Sequence, residues 1–354
     1  MEPDHPPADA VAAVTHPDPY PYYAMLAADP APRYDERLRL WVAAHPATVR
    51  QLLADPACRV RPVQEPVPAA LAGPAGDLFG ALVRMNDGPR HATPKAVLLH
   101  ALAALPQSLA ADHAASVATA MAAEVCDAAT LNAFVQGVPV RAVASLLGFA
   151  DGELPRVAAL VARYVACLSP LACPGEIAAG HEAAQALLDA LRQLVRRAPG
   201  TALLAGVTRE PWPDEHALLA NLAGLMTQTH DATTGLLGNC IVARLRGDAS
   251  GPAALVPAVM EHDPAIHNTR RFTAAGLDVA GVGVPAGQAL LLVLAGTAGF
   301  GDGHHACPGQ TLARSIVTQA LRALRAAGPL PRAAWRYRPS VNARMPVFVG
   351  EGGA

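Results

Sequence analysis

Apolar residues recur at helical spacing through most of the chain. Between 93 and 150 the stretches AVLLHALAAL, SLAADHAASVATAMAAEV and VPVRAVASLLGF follow one another, and each predicts a helix. Residues 154–198 predict two more helices around the break SPLACPGE. The segment 214–247 is the longest unbroken helical pattern, free of proline in a chain that has 33 of them. YYAMLAADP (22–30) reads as a short helix, RLRLWVAAH (37–45) as a strand, and PATVRQLLADP (46–56) as a helix with proline at its start. Residues 60–80, rich in Pro, Gly and Ala, read as a long loop. Residues 278–294 read as two short strands with turns, 310–328 as a helix ended by Gly328, and the tail WRYRPSVNARMPVFVG as strand. The expected fold class is mainly α with small β pieces. Strands and helices do not alternate, which argues against a doubly wound sheet. Residues 1–20 read as a flexible arm and 21–354 as a single domain, with no internal repeat.

Composition narrows the function classes. The 354 residues are 52% hydrophobic, enough for a sizeable core, and the formal net charge is −2. Nothing in that balance calls for a nucleic-acid partner or an anionic membrane surface. The six cysteines form no CxxC pair, which favours a reducing, cytoplasmic location. The proline-rich start lacks the layout of a signal peptide, and no apolar run is long enough to span a bilayer.

The stretch GFGDGHHACPGQTLAR (299–314) carries the candidate chemistry, and it can be read in several ways. Gly301-x-Gly303-x-x-Ala306 fits a dinucleotide-binding turn. Such a turn needs an acidic residue about 20 positions on to hold the ribose. After Asp302 no Asp or Glu occurs until Glu351. A zinc site of His304, His305 and Cys307 packs three ligands into four residues, with no second cluster to offer a fourth. A loop presenting Cys307 to a haem iron explains more of the letters. Gly301, Gly303 and Gly309 let the backbone come close, and Phe300 packs on the sulfur side. His305 reaches a propionate, and a helix starting after Cys307 stabilises the thiolate with its dipole.

At this point the sequence resembles a family. FGDGHHACPG matches the haem-loop pattern F-x-x-G-x-[HR]-x-C-x-G of cytochromes P450 at every fixed position, followed by the Leu-Ala-Arg that bacterial members often carry. DPYPYYAMLAADP resembles the family's opening helix, HDPAIHNTRRFTAAGLDVAGVGVPAG its helix-K exit and β1 hairpin, and WRYRPSVNARMPVFV its terminal hairpin. MNDGPRHATPK resembles the segment before helix C. The resemblance implies a P450-like fold of the soluble bacterial type, with haem b, its iron held by Cys307. It implies propionate contacts from His91, Lys95, Arg271 and His305. It also implies a monooxygenase that inserts one oxygen atom from O2 into a small organic substrate. Electrons would come from NAD(P)H through a ferredoxin- or flavodoxin-type donor. The apolar pocket would be lined near Gly224–Thr227, by the 60–85 loop and by Ala265–Asn268.

Three departures from the pattern bear on function. The family's acid–alcohol pair falls on Asp231 and Ala232, so the hydroxyls on offer are Thr233 and Thr234. The family's Glu-x-x-Arg falls on Ala258 and Glu261. Only QALLLVLAGTAG separates Gly287 from Phe300, where the family has a helix and a long meander. The expected fold is therefore a shortened one. Two other readings stay open: a peroxide-using or non-oxidative haem-thiolate enzyme, and a degenerate relative that binds haem or ligand weakly or acts as a scaffold.

Overall fold

The computed structural model describes residues 5–197 and 200–350. Twelve α-helices and nine short strands are found among them. The N-terminal part holds α1 (Tyr20–Ala27), β1 (Arg33–Asp35), β2 (Leu40–Ala43), α2 (Pro46–Ala54) and β3 (Cys58–Arg59). Helices then dominate: α3 (Pro74–Ala81), α4 (Pro89–Ala104), α5 (Gln107–Ala122), α6 (Ala128–Leu147), α7 (Leu154–Cys167), α8 (Pro174–Arg196), α9 (Ala202–Thr208), α10 (Glu215–Leu245) and α11 (Pro252–His262). The C-terminal part holds β4 (Asn268–Thr273), β5 (Leu277–Val279), β6 (Val282–Val284), β7 (Ala289–Val293), α12 (Gln310–Ala327), β8 (Ala334–Tyr337) and β9 (Pro346–Val349).

Local signals set many of these boundaries. Proline opens α2, α3, α4, α7, α8 and α11, where its missing N–H costs nothing. Asp127 and Thr130 form a capping box at α6, and Gly148 ends that helix in the left-handed conformation. Asp214 caps α10 through the Ala217 N–H at 2.7 Å. Buried residues surround α10 along most of its length, so it is a central core helix and not an amphipathic surface one. It packs against α6, α7, α8, α11 and α12.

The strands stitch the two ends of the chain together. The main sheet has the order β1-β2-β7-β4-β3. β2 runs parallel to β7, with Trp41 opposite Leu290, and β4 pairs antiparallel with β7. β5–β6 and β8–β9 are separate hairpins.

Several expectations need correction. The arm expected at 1–20 packs onto the fold over its described part; residues 1–4 lie outside the described residues. Ala10, Ala13 and Val14 are buried, and Arg344 donates to the carbonyls of Val14, His16 and Pro17. The loop expected at 60–80 contains most of α3, because Pro74 starts a helix that buries Leu78 and Phe79. The single strand expected at 37–45 is one arm of a hairpin turned at Arg39, whose φ is 54°. Residues 278–294 reach into three strands and not two.

Candidate functional site

Cys307 sits on a loop between β7 and α12, and backbone geometry fixes the loop's shape. Residues 294–299 turn directly off β7, with Gly301 N–H donating to Ala298 at 2.7 Å. The Cys307 N–H donates to the Phe300 carbonyl at 2.9 Å and closes the loop. Gly301 and Gly303 have φ of 72° and 63°, a region costly for other residues. A Cβ on Gly303 would stand 3.0 Å from both the Ala54 Cα and the Leu53 carbonyl oxygen, so the loop lies flush on α2. Gly309 is the N-cap residue of α12.

The thiol of Cys307 is solvent-accessible, though protein crowds it on several sides. That crowding pushes its pKa up. The Gly309 N–H and the charges of Lys95 and Arg84 pull the other way. Lys95 reaches the loop itself and donates to the Ala306 carbonyl.

Five polar side chains gather on and beside the loop. His305 Nε2 lies 3.1 Å from Asp87 Oδ1, and Asp87 Oδ2 accepts from the Val60 N–H at 3.1 Å. The His91 ring lies 4.1 Å from that of His305 and 5.8 Å from that of His304, centre to centre. Burial, helped by the neighbouring His305 and Lys95, pushes His91 down to about 4. Arg271, on β4, is buried, whereas Arg270 points outward. Adjacent strand residues face opposite ways, which explains the difference. Burial pulls Arg271 down to about 10, and the nearby Arg84 adds to this. One guanidinium nitrogen of Arg271 bonds Thr269 and the Arg270 carbonyl, but its Nε is buried without a partner. An orphaned donor of this kind costs about 1–3 kcal/mol, more for a charged group, unless an anion meets it. A buried arginine with a free donor, a lysine and two imidazoles form a set that suits carboxylates, and haem propionates fit it.

Arg84 lies near both Cys307 and Asp231, and beyond it one face of α10 is defined by its contacts. Asn221 accepts from the Val83 N–H at 2.8 Å, and a Cβ on Gly224 would touch Leu82 at 3.1 Å. Gln228 accepts a hydrogen bond from Arg84. Asp231 and Ala232 continue that face one turn later. Burial alone would raise the Asp231 pKa. The hydrogen bond from His230 at 2.8 Å and that from Arg338 at 3.1 Å hold it below the usual range instead. Thr233 and Thr234 are buried. Thr233 lies about 140° around the helix from Gln228, off the face that carries Asp231, and Thr234 sits on its flank. Thr229 bonds back to the Leu225 carbonyl at 2.8 Å. The Thr234 hydroxyl is buried with no partner.

The structure therefore brings Cys307, Gly301, Gly309, His305, His91, Lys95 and Arg271 together, with Phe300 receiving the Cys307 N–H. Asp231 lies on the other side of Arg84, and Thr233 turns away from that face of α10. Sequence reasoning missed Arg84, Gln228 and Asp87. Asp87 stood four residues before His91, but nothing local showed that it would meet a histidine 218 positions on. Where the Glu-x-x-Arg would start, Ala258 lines a cavity of about 310 Å³ between α10 and α11. The orphaned Asn239 Oδ1 belongs to a residue that lines the same cavity.

A mainly helical fold that presents one cysteine from a glycine-shaped loop in front of a long central helix defines the P450-like class. The solved structures agree. The chain superposes on P450BioI, solved in complex with an acyl carrier protein ligated to hexadec-9Z-enoic acid, with a TM-score of 0.80 at 17% identity, covering 93% of this chain and 97% of that one. It superposes on CalO2 with a TM-score of 0.79 at 19% identity, covering 99% of each. It is 26% identical over 361 residues to the cytochrome P-450 monooxygenase DoxA of Streptomyces sp. (strain C5), covering 84% of this chain and 83% of that protein. No protein-family model matches the chain. With the haem-loop pattern intact and the fold shared throughout, the chain has the fold of the cytochromes P450 and resembles one of them in sequence.

Proposed function

We propose that this protein is a haem-thiolate monooxygenase that inserts one oxygen atom from O2 into a small organic substrate. The observation that carries the reading is the Cys307 loop. Its thiol projects from a closed, glycine-shaped turn beside a cluster of cations and imidazoles suited to carboxylates.

Cys307 would hold the iron of haem b as its thiolate. The Gly309 N–H and the positive charges of Lys95 and Arg84 favour that ionised form. Arg271, with its unpaired Nε, and the imidazoles of His91 and His305 would hold the propionates. Lys95 would add charge there while bracing the loop at the Ala306 carbonyl. Phe300 and Gly301 shape the loop, and Gly309 permits the approach to sulfur. When bound, haem supplies the activation of O2 and the transfer of one of its oxygen atoms.

The remaining work falls to side chains of the chain itself. Asp231 Oδ1 would exchange a proton with His230 Nδ1, 2.8 Å away, and Arg338 would keep the carboxylate ionised between turnovers. Ala232 offers no hydroxyl at the next position. Thr234 is the better placed of the two threonines, because it lies about 60° around the helix from Asp231 whereas Thr233 lies about 160° away. Arg84 and Gln228 would close the site on one side and orient polar groups of a substrate. Electrons would come from NAD(P)H through a ferredoxin- or flavodoxin-type partner at the face near residues 294–299. There, the connection from β7 to the cysteine loop is direct.

The test is turnover under isotopically labelled O2. Haem-loaded protein, a generic ferredoxin and reductase, and NAD(P)H are supplied with a panel of small organic substrates. One labelled oxygen atom in the product, with consumption of reduced nicotinamide, is the expected result. Product formed with peroxide and never with the reductase system would replace the O2 reading with a peroxide-using one.

A further inference from the structure

We propose that Asp87, His304 and His305 form a binding site for a first-row divalent transition metal, best represented by Zn2+, with the fourth position open to solvent. The site is separate from Cys307. Asp87, His304 and His305 each place one donor atom within 4.8 Å of the other two. The contact between His305 Nε2 and Asp87 Oδ1 is 3.1 Å. Two ligands of a tetrahedral zinc ion with bonds of about 2.0–2.1 Å stand about 3.3 Å apart, so this edge is already at ligand spacing. The His304 ring lies 4.7 Å from that of His305, and His91 packs 4.1 Å from His305 on its other side.

Within the protein the donors make few polar contacts besides those to one another. Among the described residues, no hydrogen-bond partner meets the ring nitrogens of His91 or His304. Asp87 is already oriented, since its Oδ2 accepts from the Val60 N–H and leaves Oδ1 aimed at His305. A backbone donor fixing one carboxylate oxygen while the other binds metal is the usual way such ligands are supported. Asp87 and His305 are largely shielded from water, and their side chains are 13% and 6% exposed. His304 is exposed and offers the entry path. Imidazole nitrogens with one carboxylate select zinc, copper or nickel over magnesium or calcium. Binding through Nε2 would leave the single ring proton of His305 on Nδ1 and replace the His305–Asp87 hydrogen bond with two bonds to the metal.

The consequence is a clamp between two parts of the fold. Asp87 and His91 flank the start of α4, whereas His304 and His305 belong to the cysteine loop. A bound ion would tie the loop, through His304 and His305, to Asp87 just before α4, and His305 is also assigned above to the propionates. Metal and haem would then compete.

The experiment is calorimetric titration of ZnCl2 into the full-length, chelator-treated, haem-free chain. One ion per chain is expected. His304→Ala and Asp87→Asn should each weaken binding at least tenfold, while Cys307→Ser leaves it unchanged. His304 is exposed and outside the haem set, so its variant should fold and still load haem, which a visible spectrum checks. No binding to the unmodified chain, full binding by His304→Ala, or loss of binding in Cys307→Ser would each overturn the proposal. None of these results depends on the oxygenase reading. Haem loading should separately lower zinc affinity at least tenfold. If it does not, the ion and the propionates use different groups and the competition is refuted.

Discussion

His267 shows what burial does to one residue. It is fully buried, and its Nδ1 lies 2.9 Å from the Tyr23 hydroxyl, while Nε2 has no partner. Burial, with the Arg344 charge nearby, pushes its pKa down to about 3. The unfolded chain therefore takes up the proton first. The stability this group contributes is complete above pH 6.5 and falls as pH drops from there towards 3. The loss is about 1.4 kcal/mol per pH unit. Urea unfolding at about pH 7 and about pH 5 should show roughly 2 kcal/mol more acid loss in the unmodified protein than in His267→Gln. Equal losses would show that His267 is not buried neutral. The same scale explains what the sequence hid. Cys307 was legible because its neighbours in the loop are its neighbours in the chain. Asp87, Arg84 and Gln228 were not, since their partners lie far away in sequence and only packing brings them close.

Among the elements, the cysteine loop and α2 depend on each other. Gly303 lies against the α2 backbone with a positive φ, so any side chain there meets both strain and a 3.0 Å contact. Gly303→Ala should cost about 1–2 kcal/mol from the backbone conformation alone. The cost should appear as faster haem loss, because the loop must lift off α2. Haem transfer to apomyoglobin measures this, and an unchanged rate would mean the loop is not held by that contact. The helices that the pattern foretold are present, since apolar spacing over long stretches reports burial directly. α10 was the clearest, and its lack of proline matches its central place. α3 was missed because a short helix of Pro, Gly and Ala carries almost no periodic signal. The arm was missed because its anchor, Arg344, lies at the other end of the chain.

At the scale of the whole molecule, Arg344 holds three regions together. It is 1% exposed. Its Nε bonds Asp263 at 2.9 Å, beyond the end of α11, and its other nitrogens bond the carbonyls of Val14, His16 and Pro17. Its guanidinium also lies 3.6 Å from the centre of the Tyr337 ring, and Tyr20 donates to the same Asp263. The chain has Ala258 and Glu261 where the P450 pattern it resembles has a Glu-x-x-Arg, and the Arg344–Asp263 pair ties nearby elements by other means. Arg344→Met should therefore cost about 3 kcal/mol, because Asp263 and three carbonyls lose their partner at once. It should also expose the segment around residues 5–20 to protease. Resistance equal to the unmodified protein would show that the arm is anchored elsewhere.

The central claim is that Cys307 is a thiolate ligand to haem, and the spectrum of the reduced, CO-bound protein tests it most directly. A strongly red-shifted Soret band that disappears in Cys307→Ser and persists in Cys240→Ser is the predicted result. A protein that takes up no haem while Cys307 remains open to alkylation, or a band that survives Cys307→Ser, would contradict it.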